Sequence, residues 1–145
     1  MDYASLMNSE GNFVEPTLES TQAAAQAAIM MNNSAAGTSN NGTSPATIAL
    51  PAGDQSWTQV SLLDAPGANS YPIASFSYLL LYKELSTNIN AMDKAQALAQ
   101  FVNWAITDGQ QFASQLHYVH LPDSVVQHNQ QTLRSLTFNG QPVFQ

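Results

Sequence analysis

Cysteine is absent from the 145 residues, so the chain holds neither a disulfide framework nor a thiolate-ligated metal. Charge is scarce as well. Only 9% of residues are charged, against roughly 25% in ordinary soluble domains, and Asn, Gln, Ser and Thr carry the solubility instead. Lys83, Lys94 and Arg134 are the only permanent cations, and the net charge is -7. Such a chain offers no cationic footprint to a phosphate backbone or an anionic membrane, so nucleic acid is not expected as a partner. No apolar run approaches the roughly 20 residues of a membrane-spanning helix, the longest lying at 73–82. Residues 1–20 lack the basic start and apolar stretch of a signal peptide. Catalytic signatures are missing too: there is no Gly-x-Ser-x-Gly elbow, no phosphate-cradling glycine loop and no His-Glu-x-x-His pair. Neither an enzyme nor a bound cofactor is expected.

What is present suits one domain's worth of chain, or a piece of a two-lobed protein of the same hydrophobic fraction. Residues 2–7 and 12–14 read as short strands around a turn in which Gly11 supplies a positive φ. Because Asp2 follows only one residue, the chain is expected to begin inside an element, with a preceding part elsewhere. From Thr17 to Met31 an alanine-rich run with Glu19 near its start predicts a helix, its apolar positions Leu18, Ala25, Ala28 and Ile29 recurring at helical spacing. Residues 32–47 have almost nothing to bury and read as a loop. Asn32 and Asn41 stand in glycosylation sequons there, which matter only if the chain is exported.

Residues 57–63 alternate like a strand, and 64–69 carry turn chemistry before Pro72. The aromatic and aliphatic run 73–82 predicts a strand buried on both faces. A helix is expected from about Asn90, with Asp93 in its first turn and Leu98, Phe101, Val102, Ala105 and Ile106 on one face. Gly109 interrupts it before Phe112, Ala113 and Leu116. A last helix opens at Asp123 and reaches about Leu136, and 138–142 form a turn between short extended pieces. Helices alternating with strands imply an α/β layer architecture.

Three constellations bear on chemistry. His117, His120 and His128 include a pair at i, i+3 that suggests zinc, but Leu121-Pro122 breaks any common helix, so no metal site is expected. The aromatic residues Phe101, Trp104 and Phe112 could form a stacking platform, yet their spacing favours core packing against 73–82. Each predicted helix start carries its own carboxylate, Glu19, Asp93 or Asp123, which complements the helix dipole and repels an anion; Arg134 sits late in the last helix, where a cation suits the negative end.

Four segments, in this order, resemble the C-terminal part of phosphate-type solute-binding proteins of the Pst ABC importer family. They are Asp2-Tyr3-Ala4, the run from Tyr71-Pro72-Ile73 to Tyr78, Phe101-Val102-Asn103-Trp104-Ala105 with Asp108-Gly109-Gln110, and Tyr118-Val119-His120-Leu121-Pro122-Asp123-Ser124-Val125-Val126. The resemblance implies an incomplete α/β chain of the type II periplasmic-binding-protein fold, with residues 1–69 ending one lobe and 70–145 returning to the other. It also implies an extracytoplasmic place, inorganic phosphate as ligand of the complete protein and the importer's permease subunits as partners. Members of the family are about twice as long and bind phosphate through residues before the hinge strand, so no ligand-contact position transfers to this sequence. Two alternatives stay open: a surface or interaction module without transport, and a binding protein for another small oxyanion such as sulfate or molybdate. Alone, the piece is expected to expose apolar faces and to be poorly stable.

Overall fold

In a computed structural model, the residues described are 3–34 and 50–145. A first hairpin pairs β1 (Leu6–Met7) with β2 (Phe13–Val14), Leu6 facing Val14 and Met7 facing Phe13. Its turn needs Gly11 at φ 80°, where a side chain would be strained. Asp2 lies outside the described residues, and pairing is confined to the end of the expected 2–7 strand.

Helix α1 (Leu18–Ser34) follows as its alanine content predicts, opened by a reciprocal cap. The Thr17 amide donates to Ser20 Oγ at 3.0 Å and the Ser20 amide to Thr17 Oγ1 at 3.1 Å. Ala24, Ala25 and Ala28 are buried against Leu62, Ala65 and Ala74, while Ile29 meets Leu50 and Val125. These small side chains let the 62–74 backbone approach closely. The helix runs on through Asn32, Asn33 and Ser34, where the loop was expected to begin; the remainder of that loop, with Asn41, lies outside the described residues.

The expected strand at 57–63 does not form. The Val60 amide donates to the Trp57 carbonyl at 2.9 Å, a turn that curls the backbone away from a ladder. The run 73–82 forms no strand among the described residues, opening on a bend at Ile73 and pairing with no neighbour, and it is not buried on both faces. Ala74 is buried and Phe76 packs beside it on α1, whereas Leu79 and Leu80 are 67% and 91% exposed. An apolar run becomes a buried strand only when neighbours cover its edges and faces, and no described segment does so.

The C-terminal part is built from α2 (Met92–Ile106) and α3 (Asp123–Arg134), with Asp93 and Asp123 in their first turns and Arg134 in the last, as expected. The helix break foreseen at Gly109 is present as two 3-10 turns, Asp108–Phe112 and Ser114–Leu116. A Cβ on Gly109 would lie 2.9 Å from the Trp104 carbonyl oxygen, so only glycine lets the chain fold back beneath that residue. A closing hairpin joins β3 (Thr137–Phe138) to β4 (Gln141–Pro142) through Asn139 and Gly140, at φ 49° and 73°, the left-handed pair that an Asn-Gly turn favours. Ala95, Ala99, Val102, Leu85, Leu133, Leu136 and Val143 form the core here. The chain is thus mixed helix and strand, with two two-stranded sheets instead of the expected layered one among the described residues. None of its described helices is long and apolar enough to cross a membrane.

Candidate functional site

The aromatic residues assigned to the core are not in it. Phe101, Trp104 and Phe112 are 60%, 42% and 47% exposed. Helical geometry explains the error. The buried stripe of α2 is set by Ala95, Ala99 and Val102, and at roughly 100° per residue Trp104 lies about half a turn away from Ala95. Phe101 stacks on Trp104 with ring centroids 6.0 Å apart and planes 28° from parallel, and the Phe112 ring lies 6.3 Å from the indole at a 45° tilt.

Two hollows adjoin this surface. One, of about 650 Å3, is lined by Trp104, Thr107, Asp108, Gln110, Gln111 and His120. The other is a cleft of about 760 Å3 between α1, the 73–77 segment and residues 109–122, with Ala25, Phe76, Phe112, Tyr118 and Leu121 among its walls. Gln110 stands between them: its Nε2 donates to the Ala105 carbonyl at 2.8 Å, and its Oε1 accepts from the Leu121 amide at 2.9 Å. It ties the end of α2 to the approach of α3, a role that nothing in its sequence context announced.

Neither hollow suits a bound oxyanion. No Lys or Arg lines either, and Asp108 faces one of them. Lys83 is engaged at the surface with Asp54 at 2.9 Å, Lys94 Nζ donates to Asn90 Oδ1 at 3.1 Å, and Arg134 closes α3. The helix starts are matched by their own acids. Glu19 is held below the ordinary carboxylate range by its own backbone amide and by the Thr17 hydroxyl. His117 and His120 both line the larger cleft, and His128 lies apart from them. His128 Nε2 donates to the Pro51 carbonyl oxygen at 2.8 Å, and its ring meets the Trp57 ring edge-on with centroids 5.6 Å apart. His120 faces the smaller hollow, and His117 ends a 3-10 turn at φ 59°. Among the described residues no three His, Asp or Glu side chains gather as a metal site.

Two polar hubs do structural work that the sequence did not reveal. Asn8 is buried, its Nδ2 donating to the carbonyls of Gly67 and Ala68 at 3.1 Å and of Ser70 at 3.3 Å, while its Oδ1 accepts from the amides of Glu10 and Asn12. Glu84 accepts from the Ser86 hydroxyl at 2.6 Å, the Thr137 hydroxyl at 2.9 Å and the amides of Ser86, Asn139 and Gly140. Those donors, the Ser86 hydroxyl foremost, pull its pKa down to about 2.

No family model matches the chain, and no solved structure matches it. Curated proteins do. Over 123 residues, 84% of this chain, it is 32% identical to the phosphate-binding protein PstS of Methanocaldococcus jannaschii. It is 31% identical to PstS of Pasteurella multocida over 125 residues and 32% identical to that of Haemophilus influenzae over 124, in each case 86% of this chain. The chain is related to the PstS phosphate-binding proteins. The resemblance read from the four segments is thereby upheld. The match covers 28% of the archaeal PstS and 29% of each of the two bacterial ones, so it spans less than a third of the length of these relatives, which are longer than the twofold that the resemblance implied.

Proposed function

We propose that the chain is the C-terminal part of an extracytoplasmic phosphate-binding component of an ABC importer, with the phosphate contacts contributed by other parts of the complete protein. The observation that carries this reading is the PstS similarity, which extends over 84–87% of the chain in an archaeal and several bacterial relatives. The described residues fit it: an oxyanion site needs converging N–H donors, and often an arginine fork, and neither hollow is lined by Lys or Arg. In this reading the fold is that of a type II periplasmic-binding protein, residues 1–69 end one lobe, and 70–145 return to the other. Closure of the lobes about the hinge traps phosphate and presents the protein to the permease.

Calorimetric titration tests the proposal. The complete protein is expected to bind phosphate, and the 145-residue chain alone to give no heat at micromolar concentrations. Tight binding of sulfate or molybdate in place of phosphate by the complete protein would reassign the ligand. Micromolar phosphate binding by the isolated chain would overturn the placement of the contacts.

A further inference from the structure

The closing hairpin turns on Asn139-Gly140, a dipeptide with a covalent chemistry of its own. Asparagine amides are thermally labile, and a following glycine leaves the attacking main-chain nitrogen without a neighbouring Cβ to hinder it. Both residues are exposed, and a Cβ built on Gly140 would meet no atom within 4 Å. Among the described residues Asn139 is held through its main-chain amide, and its side chain makes no hydrogen bond. The reaction open to it is succinimide formation. The Gly140 nitrogen gives its proton to hydroxide and attacks Asn139 Cγ; the N–Cγ bond forms, the Cγ–Nδ2 bond breaks, and Nδ2 takes a proton from water and leaves as ammonia. Water then opens the ring, at Cγ to give aspartate or at the main-chain carbonyl carbon of residue 139 to give isoaspartate. In sum, water is consumed and ammonia released.

What separates this turn from a free Asn-Gly pair is Glu84. Its Oε1 accepts from the Asn139 amide at 2.8 Å, and its Oε2 accepts from the Gly140 amide, the nucleophile itself, at 3.1 Å. The Ser86 and Thr137 hydroxyls fix the carboxylate in place. With a pKa of about 2 it is far too weak a base to take a proton from a peptide nitrogen. It opposes the reaction instead: the charge-assisted hydrogen bond keeps the Gly140 nitrogen protonated, and the negative charge disfavours a nitrogen anion beside it. We propose that Asn139-Gly140 is a deamidation site locked by Glu84, reactive only when the closing hairpin releases that carboxylate. The change is one-way. Aspartate puts a second carboxylate on the residue whose amide Glu84 holds, and isoaspartate adds a carbon to the main chain of a two-residue turn. Either product opposes the return of Val143 to its place beside Leu133 and Leu136, so the site records past opening of the hairpin. This inference does not depend on the phosphate reading.

Peptide mapping by mass spectrometry tests it on the 145-residue chain held in mildly alkaline buffer, native or unfolded in guanidinium, with enzymatic labelling to identify isoaspartate. Deamidation at Asn139 is expected to run roughly tenfold to a hundredfold slower in the native chain than in the unfolded one, the range that hydrogen bonds to a charged group imply. Glu84→Ala should bring the native rate up to that of the unfolded chain while the amides of α2 stay protected from hydrogen exchange. Glu84→Gln, which keeps one uncharged acceptor oxygen, should fall between. The same dipeptide at Asn41-Gly42 lies outside the described residues and serves as a clock in the same tube, because a local effect of Glu84 leaves its rate unchanged. Equal rates in the native and unfolded chains overturn the proposal, as does a failure of Asn139 to react in either. A Glu84→Ala chain that reacts no faster than the parent overturns it too, and one that reacts more slowly would make the carboxylate a promoter of the reaction. Acceleration of both dipeptides alike counts against it, since general unfolding would then be the cause. Should Glu84→Ala lose the protection of α2, the decision passes to Glu84→Gln, where an unchanged rate overturns the lock.

Discussion

The two long apolar stretches of this chain end differently. In α2 the apolar stripe finds its cover nearby: α3 and the closing hairpin bring Leu133, Leu136 and Val143 onto Ala95, Ala99 and Val102. In 73–82 a more hydrophobic stretch has most of its large side chains in solvent. Hydrophobicity states that a segment is to be buried, but burial is a relation between segments, and sequence-local partners exist only for the helix. A helix also satisfies its backbone hydrogen bonds internally, whereas a strand must borrow a neighbour.

The largest expected effect sharpens this contrast. Leu133→Ala should cost about 2–5 kcal/mol in denaturant unfolding by opening a cavity in the C-terminal core, while Leu80→Ala should leave the midpoint unchanged. Asn8→Ala should come next, at about 1–3 kcal/mol, because it strands carbonyls of the 67–70 loop and two hairpin amides; faster exchange of the Glu10 and Asn12 amides would show it. Gly109→Ala forces a Cβ against the Trp104 carbonyl, and overpacking of this kind costs about 1–3 kcal/mol, accompanied by a shift in tryptophan emission.

Acid should separate the two regions selectively. Glu84 has a folded pKa of about 2, below its ordinary 4.5, so its contribution is complete above pH 4.5 and is lost as pH falls from there towards 2. NMR of the Asn139 and Gly140 amides should report loosening of the hairpin over that window, and Glu84→Gln should flatten the dependence. The smallest effect is expected for Lys83→Ala: its pair with Asp54 is 60% and 50% exposed, and the melting temperature should not move measurably.

Local chemistry was legible throughout. Gly11, the Asn139-Gly140 turn, the acids at the helix starts and the break at Gly109 are fixed by neighbours within a few residues, and each stands where it was expected. The readings of 57–63, 73–82 and the Phe101-Trp104-Phe112 group differ from the structure because each required knowing what lies across space. Trp104 stands about half a turn from the buried stripe of α2, and which stripe is buried was set by the elements that pack on the helix. Asn8, Glu84 and Gln110 gave no signal because a polar residue in a turn looks the same whether it faces water or bonds a segment some 60 residues away, as Asn8 does with Ser70.

By itself the sequence determined the helices, the turns, the lack of a cationic surface and the kinship with phosphate-binding proteins, since these depend on residue type and order alone. Only the tertiary structure decided which apolar faces are covered, where the polar hubs tie distant segments, and that neither hollow is lined by Lys or Arg. Those outcomes depend on which surfaces meet, and contact between residues far apart in the chain is not written in any one of them.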